Sequence, residues 1–241
     1  MEILILIVAQ WYFSLFFQTF YLHRYAAHQM FTISKFWEFI FTTGTWLSQG
    51  ASYLNPWVYG TMHRMHHAYA DTEKDVHSPK YDKNPLAMLW RTKKIYSAIS
   101  NGSFPMEERF KSDSPTRFLI EKFYVSWVSR LMWVAIYSYF YYTFATQLWM
   151  WLFLPINLTM GPIHGLIINW VAHKVGYRNF DVGDTSTNLM KWDIFMMGEG
   201  LHNNHHKRGD EPNFAYKNNE FDPSYPIIKL LSFFGMVRFK K

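Results

Sequence analysis

Nine of the eleven histidines in this chain fall into four short clusters, with long apolar runs around and between them. His23 and His28 stand in HRYAAH, and His63, His66 and His67 in HRMHH. Asn169 and His173 stand in NWVAH, and His202, His205 and His206 in HNNHH. Imidazole is a common ligand for redox-capable first-row metals, and packing alone has no use for so many. The pattern points to an oxygen-activating metal centre at a membrane surface.

Spacing sharpens this. The HRMHH and HNNHH boxes place their histidines at i, i+3 and i+4, one face of a helix. Asn169 and His173, at i and i+4, share a face in the same way. His23 and His28 lie five apart, about 140° around an ideal α-helix, so the helix is expected to end or bend there. Three or four helix ends then converge their ligands on two metal ions. A lone histidine is ordinarily a hydrogen-bonded or interfacial residue, but that reading does not account for two HxxHH boxes and two further pairs. A structural zinc site is the next rival. Zinc takes four ligands, about half of what is present here, so the number suits two ions, and iron suits dioxygen activation. Asp71, Asp75 and Glu199 lie beside the boxes and are candidates to orient imidazoles from behind, with plain solvated carboxylates as the alternative. Gly198 and Gly200 flank Glu199. They read as sites of close backbone approach, where valine should harm the site more than the fold. His77, in a Pro-flanked loop, is read as a non-ligand. His164 either lines a substrate path or is a buried polar contact.

The chain has no cysteine, which excludes disulfides, iron–sulfur clusters and thiolate-held metal. Its formal charge of +6 comes with no nucleic-acid-binding motif. Lys and Arg beside apolar runs instead follow the positive-inside rule. Residues 3–22 are long enough to cross a bilayer, which needs roughly 20 residues. The basic start and small-residue cleavage site of a signal peptide are missing, so they read as a retained membrane helix. Residues 123–143 and 147–170 are two more expected spans. The stretch 36–54 is interrupted by Glu38 and Gln49 and closes at Asn55-Pro56. If it crossed the bilayer, the first two boxes would face opposite sides, so it is expected to lie in the interface or to dip and return. The resulting fold is all-α and integral to the membrane, a single domain over 1–241. It has about three transmembrane helices, an interfacial helix and a cytosolic helical cap holding the metals. The N-terminus lies outside and the C-terminus inside.

HRYAAH, HRMHH, NWVAH and GEGLHNNHH, with DTEKDVHSP after the second box, resemble the membrane fatty-acid desaturases. The likeness is to the acyl-CoA (stearoyl-CoA type) branch, in a bacterial-like short form, and it runs from about residue 10 to 210. It implies a di-iron centre whose ligands are His23, His28, His63, His66, His67, His173, His202, His205 and His206. Asn169 would act through a water. It also implies that dioxygen and two electrons are consumed as a cis double bond, delta-9 in this branch, enters a long acyl chain lying in an apolar tunnel. Trp46, Tyr53, Trp57 and Trp170 are candidate tunnel walls, with ordinary core or interface anchoring as the competing role.

Two departures from the family pattern bear on this. Animal relatives have four spans, and the first is expected to lack a counterpart here, either because the helical hairpin is reduced or because the 36–54 stretch sits deeper in the bilayer. Their charged residues before the second box, which meet the carrier headgroup, are replaced by Gly60-Thr61-Met62. Acyl-CoA, a phospholipid and acyl carrier protein therefore all stay open as acyl donors. Lys and Arg within 80–117 either meet an anionic headgroup or form a solvated face. With no haem motif and no cysteine cluster, the electron donor is expected to be a separate ferredoxin or small haem protein with its reductase. The expected place is a bacterial inner membrane, in contact with lipid, with the site on the cytosolic face. A hydroxylase on the same scaffold is the first rival. A non-enzymatic membrane metal-binding or transport protein is the second. The second is disfavoured because the spans are aromatic and aliphatic, with Arg130 their lone cation.

Overall fold

The computed structural model describes residues 1–240. Helix α1 (Glu2–Phe17) runs without a break into a π-helical segment, Gln18–Ala27. Together they make the one helix among the described residues that is long and apolar enough to cross a membrane. Its first half exposes Leu4, Ile5, Val8 and Phe13, whereas every residue of the π segment is buried. The helix ends at Ala27 with His28 as its C-cap, in keeping with the spacing, and the turn that carries the two histidines is widened rather than bent. A π turn bonds residue i to i+5, and the His28 N–H donates to the His23 carbonyl at 3.1 Å. The five-residue spacing that misfits an α-helix therefore puts both imidazoles on one side.

Strand β1 (Phe31–Ile33) follows and pairs antiparallel with β2 (Val237–Phe239) near the C-terminus. Helix α2 (Lys35–Gln49) is inside out: Glu38, Thr42, Thr45 and Gln49 face inward, and Phe36, Phe39, Ile40 and Leu47 face outward. Three of these groups are bonded in full: Tyr25 donates to Glu38 at 2.7 Å, Tyr21 pairs with Thr42 at 2.7 Å, and Thr45 donates to the Phe41 carbonyl at 2.7 Å. The Gln49 side-chain carbonyl accepts from the Leu54 N–H at 2.9 Å, while its amide nitrogen has no partner. Such inversion suits lipid outside. With 15 residues the helix rises about 22 Å, short of the ~30 Å hydrocarbon core.

Helix α3 (Pro56–Tyr69) starts with Pro56 at its first turn and the Asn55 side chain accepting from the Val58 N–H at 3.1 Å. It packs closely on the π segment. A Cβ on Gly60 would lie 2.4 Å from the Ala26 carbonyl oxygen, so only glycine allows this approach. Helix α4 (Pro85–Ser100), capped by Asn84, covers α3 from the polar side.

The expected span 123–143 is two pieces, α5 (Glu121–Tyr124) and α6 (Trp127–Phe144), divided where Ser126 caps α6. Alone, α6 is not apolar enough to count as a span; it carries Arg130 and several Tyr and Ser residues. Arg130 points inward and donates to the Ala51 carbonyl at 2.5 Å. The expected span 147–170 is also broken. Leu148–Leu158, ending in α7 (Leu154–Leu158), meets α8 (Met160–Trp170) and its 3-10 extension to His173 at 70°. Pro162 has no N–H to return to the Leu158 carbonyl, so one straight helix cannot run through, and a buried polar knot packs at the bend. Asn157 donates to Gln10 at 2.6 Å and accepts from the Tyr141 hydroxyl at 2.6 Å, while Gln10 donates to Tyr137 at 2.7 Å. Helix α9 (His202–Lys207) and helix α10 (Ser224–Phe233) complete the chain.

Replacing Asn157 with leucine keeps the volume but strands the amide of Gln10 and the hydroxyl of Tyr141. The variant should lose about 1–3 kcal/mol. Thermal unfolding in detergent should show a lowered Tm, whereas Tyr139→Phe, at an exposed ring, should leave Tm unchanged.

Candidate metal centre

The π segment, α3, the end of α8 and α9 bring nine imidazoles into two adjoining groups. His23, His28, His63, His67 and His205 form one, and His66, His173, His202 and His206 the other. Neither HxxHH box serves a single group. In each, the residues split between the two, so α3 and α9 both lie astride the pair. In the first group the Nε2 atoms stand 2.9 Å apart for His63 and His67, and 3.0 Å apart for His67 and His205 and for His205 and His23. In the second, His173 and His202 Nε2 are 3.1 Å apart. The groups touch where the His67 and His206 rings come within 4.6 Å.

Ring nitrogens facing each other at this distance need a proton or a cation between them. Protons are opposed. Burial, then neighbouring imidazoles, pushes His28, His63, His67, His202 and His205 well below the ordinary histidine range. Burial likewise takes His206 down to about 4. Neutral imidazoles are metal donors, and the buried Nε2 atoms of His28, His66 and His206 have no hydrogen-bond partner. Two ligands meeting an ion at right angles with bonds of ~2.1 Å have donors about 3 Å apart. The donor set therefore fits two metal ions, with nitrogen ligands throughout.

The opposite ring nitrogens are held by carboxylates. His23 Nδ1 lies 2.6 Å from Glu199, and His66 Nδ1 lies 2.9 Å from Asp75. Asp71 reaches His173 through Thr185, whose hydroxyl donates to Asp71 at 2.7 Å and lies 3.2 Å from His173 Nδ1. The fourth carboxylate is Asp184, 2.7 Å from His206 Nδ1. In the sequence Asp184 reads only as part of a Gly-Asp turn, with no spacing that ties it to His206. Burial pushes its carboxyl up, but the hydrogen bonds from His206 and Ser186 outweigh this and hold it well below the usual range.

Beside His23, Arg24 is fully buried, 2.6 Å from Asp222 and 3.8 Å from the Phe214 ring centre. A Cβ on Gly198 would lie 2.1 Å from the Asp222 carboxylate, at a backbone φ of +95°. Valine there would break a buried ion pair, worth about 3–5 kcal/mol when one partner is lost. The fold is thus at stake along with the site, contrary to the expectation from the glycines alone.

A cavity of about 570 Å³ lies between α1, α3, α4, α6 and α8. Leu15, Met62, Met88, Val134 and Ile168 make apolar wall, and His63, Asn169 and Glu199 bring it to the edge of the imidazole groups. Of the aromatic wall candidates, Tyr53 lines it. Trp46, Trp57 and Trp170 do not, because each is held elsewhere. Trp46 stacks on Tyr124 at 4.5 Å and donates to Ser129, Trp57 donates to the Ser112 carbonyl, and Trp170 lies under the Lys174 ammonium. Met88, on the polar side of the chain, was not foreseen as wall. His164 lines the cavity with its ring edge-on to Trp11 at 4.6 Å. His77 also lines it, 4.3 Å from the His66 ring, in a third group with His66 and Asp75.

Residues 2–217 match the model of the fatty acid desaturase family. The chain belongs to that family. It is 30% identical over 217 residues to an acyl-CoA C20 delta-5-desaturase of Anemone leveillei, covering 89% of this chain and 65% of the relative. It is 27% identical over 219 residues to an sn-1 stearoyl-lipid 9-desaturase of Anabaena variabilis, covering 89% and 74%. A delta-9 acyl-lipid desaturase of Arabidopsis thaliana is 26% identical over 215 residues, covering 89% and 67%. The chain thus spans just under two thirds of the Anemone relative.

Asp184→Ala should weaken metal retention by about 10–100-fold, the usual effect of losing a carboxylate behind a histidine ligand. Competition with a chelator, followed by metal analysis, reads it directly. Asp181→Ala, at an exposed carboxylate three residues away, should leave retention unchanged.

Proposed function

We propose that this chain is an oxygen-dependent desaturase that introduces a cis double bond into a long-chain fatty acyl substrate, acyl-CoA at the delta-9 position. The observation that carries this reading is an apolar cavity of acyl-chain character whose wall includes His63 and Asn169, at the edge of two groups of neutral imidazoles. Two iron ions held by the nine histidines, with Asn169 acting through a water, would supply the oxidising chemistry with dioxygen. Per turnover, one CH2–CH2 unit, one O2, two electrons and two protons give one CH=CH unit and two waters.

The protein's own part is positioning. Leu15, Met62 and Ile168 give the chain an apolar wall, and His63 and Asn169 line the same cavity where the methylenes would meet the metals. Glu199, Asp75, Asp184 and the Thr185–Asp71 relay hold the imidazole rings in one tautomer and orientation. Lys93 and Trp127 stand exposed at the cavity edge with Arg130 just inside, which supports an anionic carrier headgroup there. Electrons come from a separate ferredoxin or small haem protein with its reductase. The exposed apolar residues of α1, α2 and α6 support residence in a membrane, in a bacterial host the inner one, with the site on the cytosolic side.

Expression in a bacterial host beside His66→Ala, with total fatty acids profiled by gas chromatography–mass spectrometry, tests the reading. A new monounsaturated acid should appear only with the intact chain, and its bond position gives the regiochemistry. A new hydroxy acid would replace desaturation by hydroxylation. An unchanged profile from iron-loaded protein supplied with acyl-CoA and a donor system would overturn it.

A further inference from the structure

Beyond the first span, a second surface of the molecule is inside out. Helix α10 buries Ser224 and Ile228 and exposes Ile227, Leu230, Phe233 and Phe234, Phe233 to 83%. Its ends are pinned at two levels of the fold. At the start, the Ser224 hydroxyl donates to the Met197 carbonyl at 2.7 Å. At the end, β2 pairs with β1, which follows the first span. The turn before Met197 continues the same surface with exposed Trp192, Ile194 and Phe195. Phe195 packs on Trp11 at 4.7 Å, and its carbonyl accepts from the Trp11 indole at 3.0 Å. Trp11 lies well inside the apolar length of α1, so this turn reaches to a depth the first span occupies. The charges beside these apolar groups have one sign. Lys191, Lys229, Arg238 and Lys240 are exposed, while Asp193, Glu220 and Asp222 are buried. The family match ends at residue 217, so α10 and β2 lie outside it.

We propose that α10 and the Trp192–Phe195 turn form a membrane-seated collar whose occupant is an anionic lipid leaflet. Two features argue for lipid: apolar side chains continuous with the lipid-facing side of α1, and cations flanking them with no exposed carboxylate among them. The aromatic and aliphatic groups sit at the acyl boundary, and the Lys and Arg side chains reach anionic headgroups. The collar holds the HNNHH box, which lies between the turn and α10, at a fixed height above the bilayer. The proposal rests on the membrane reading of α1.

The chain has no cysteine, so single labelling sites are clean. Full-length Leu230→Cys and Phe233→Cys, each carrying a nitroxide, are placed in nanodiscs of zwitterionic lipid with phosphatidylglycerol. Leu4→Cys serves as the reference for α1 and Lys217→Cys as the solvent reference. At 230 and 233, oxygen should relax the label more than a water-soluble nickel chelate does, as at Leu4 and opposite to Lys217. Lys229→Glu with Arg238→Glu should shift labels 230 and 233 toward the nickel reagent in discs with phosphatidylglycerol. The proposal falls if nickel reaches 230 and 233 as readily as 217 while Leu4 stays immersed. It falls equally if both reagents are excluded and spin–spin broadening shows a second copy covering the helix. Nickel access at Leu4 as well would instead overturn the membrane reading beneath it.

Discussion

The structure depends on bringing neutral, buried imidazoles within about 3 Å of one another without protonating them. Nitrogen lone pairs facing one another at that distance call for a cation between them, and the chain presents them to it through packing and through bonds to their outer nitrogens. Each piece of local oddity serves this end. The π segment carries His23 and His28 on one side of one helix. Gly60 lets α3 close against Ala26, which brings its three histidines to the first two. The Arg24–Asp222 pair ties the π segment to the C-terminal part of the chain, beside the loop that carries Glu199.

The carboxylates do the finer work. Glu199, Asp75 and Asp184 each take the Nδ1 side of an imidazole, and Asp71 acts through Thr185. They set the tautomer that leaves Nε2 facing the centre, and they bring negative charge to a site built to take cations. Because the two HxxHH boxes both split between the groups, no ligand helix belongs to one group alone. A shift of α3 or α9 would disturb both groups together, which makes the centre one mechanical unit.

Around this unit the ordinary rule of polar outside and apolar inside is reversed where lipid replaces water. The inward face of α2 is polar, with Glu38 and Thr42 bonded by tyrosines of the first helix, and its outward face is aromatic and aliphatic. The Gln10–Tyr137–Asn157–Tyr141 knot binds three helices by hydrogen bonds where apolar side chains gain nothing by leaving lipid. The same knot sits at the bend between α7 and α8. That bend helps frame the cavity leading to Asn169.

Residue type and spacing alone determined which residues form the imidazole groups, because a face of a helix is a local property and the boxes carry it in their periods. They also determined the exclusion of thiolate chemistry and the apolar length of the first helix. Three of the four carboxylates were legible because they sit beside a box. Tertiary structure alone decided how nine histidines divide into five and four, since a helix face does not say which of two neighbours it meets. It decided that Asp184 stands behind His206, that two expected spans are broken, and that Trp46, Trp57 and Trp170 are held away from the cavity. Those outcomes depend on contacts between residues far apart in the chain. The geometry of such contacts is set by packing, which no local pattern encodes.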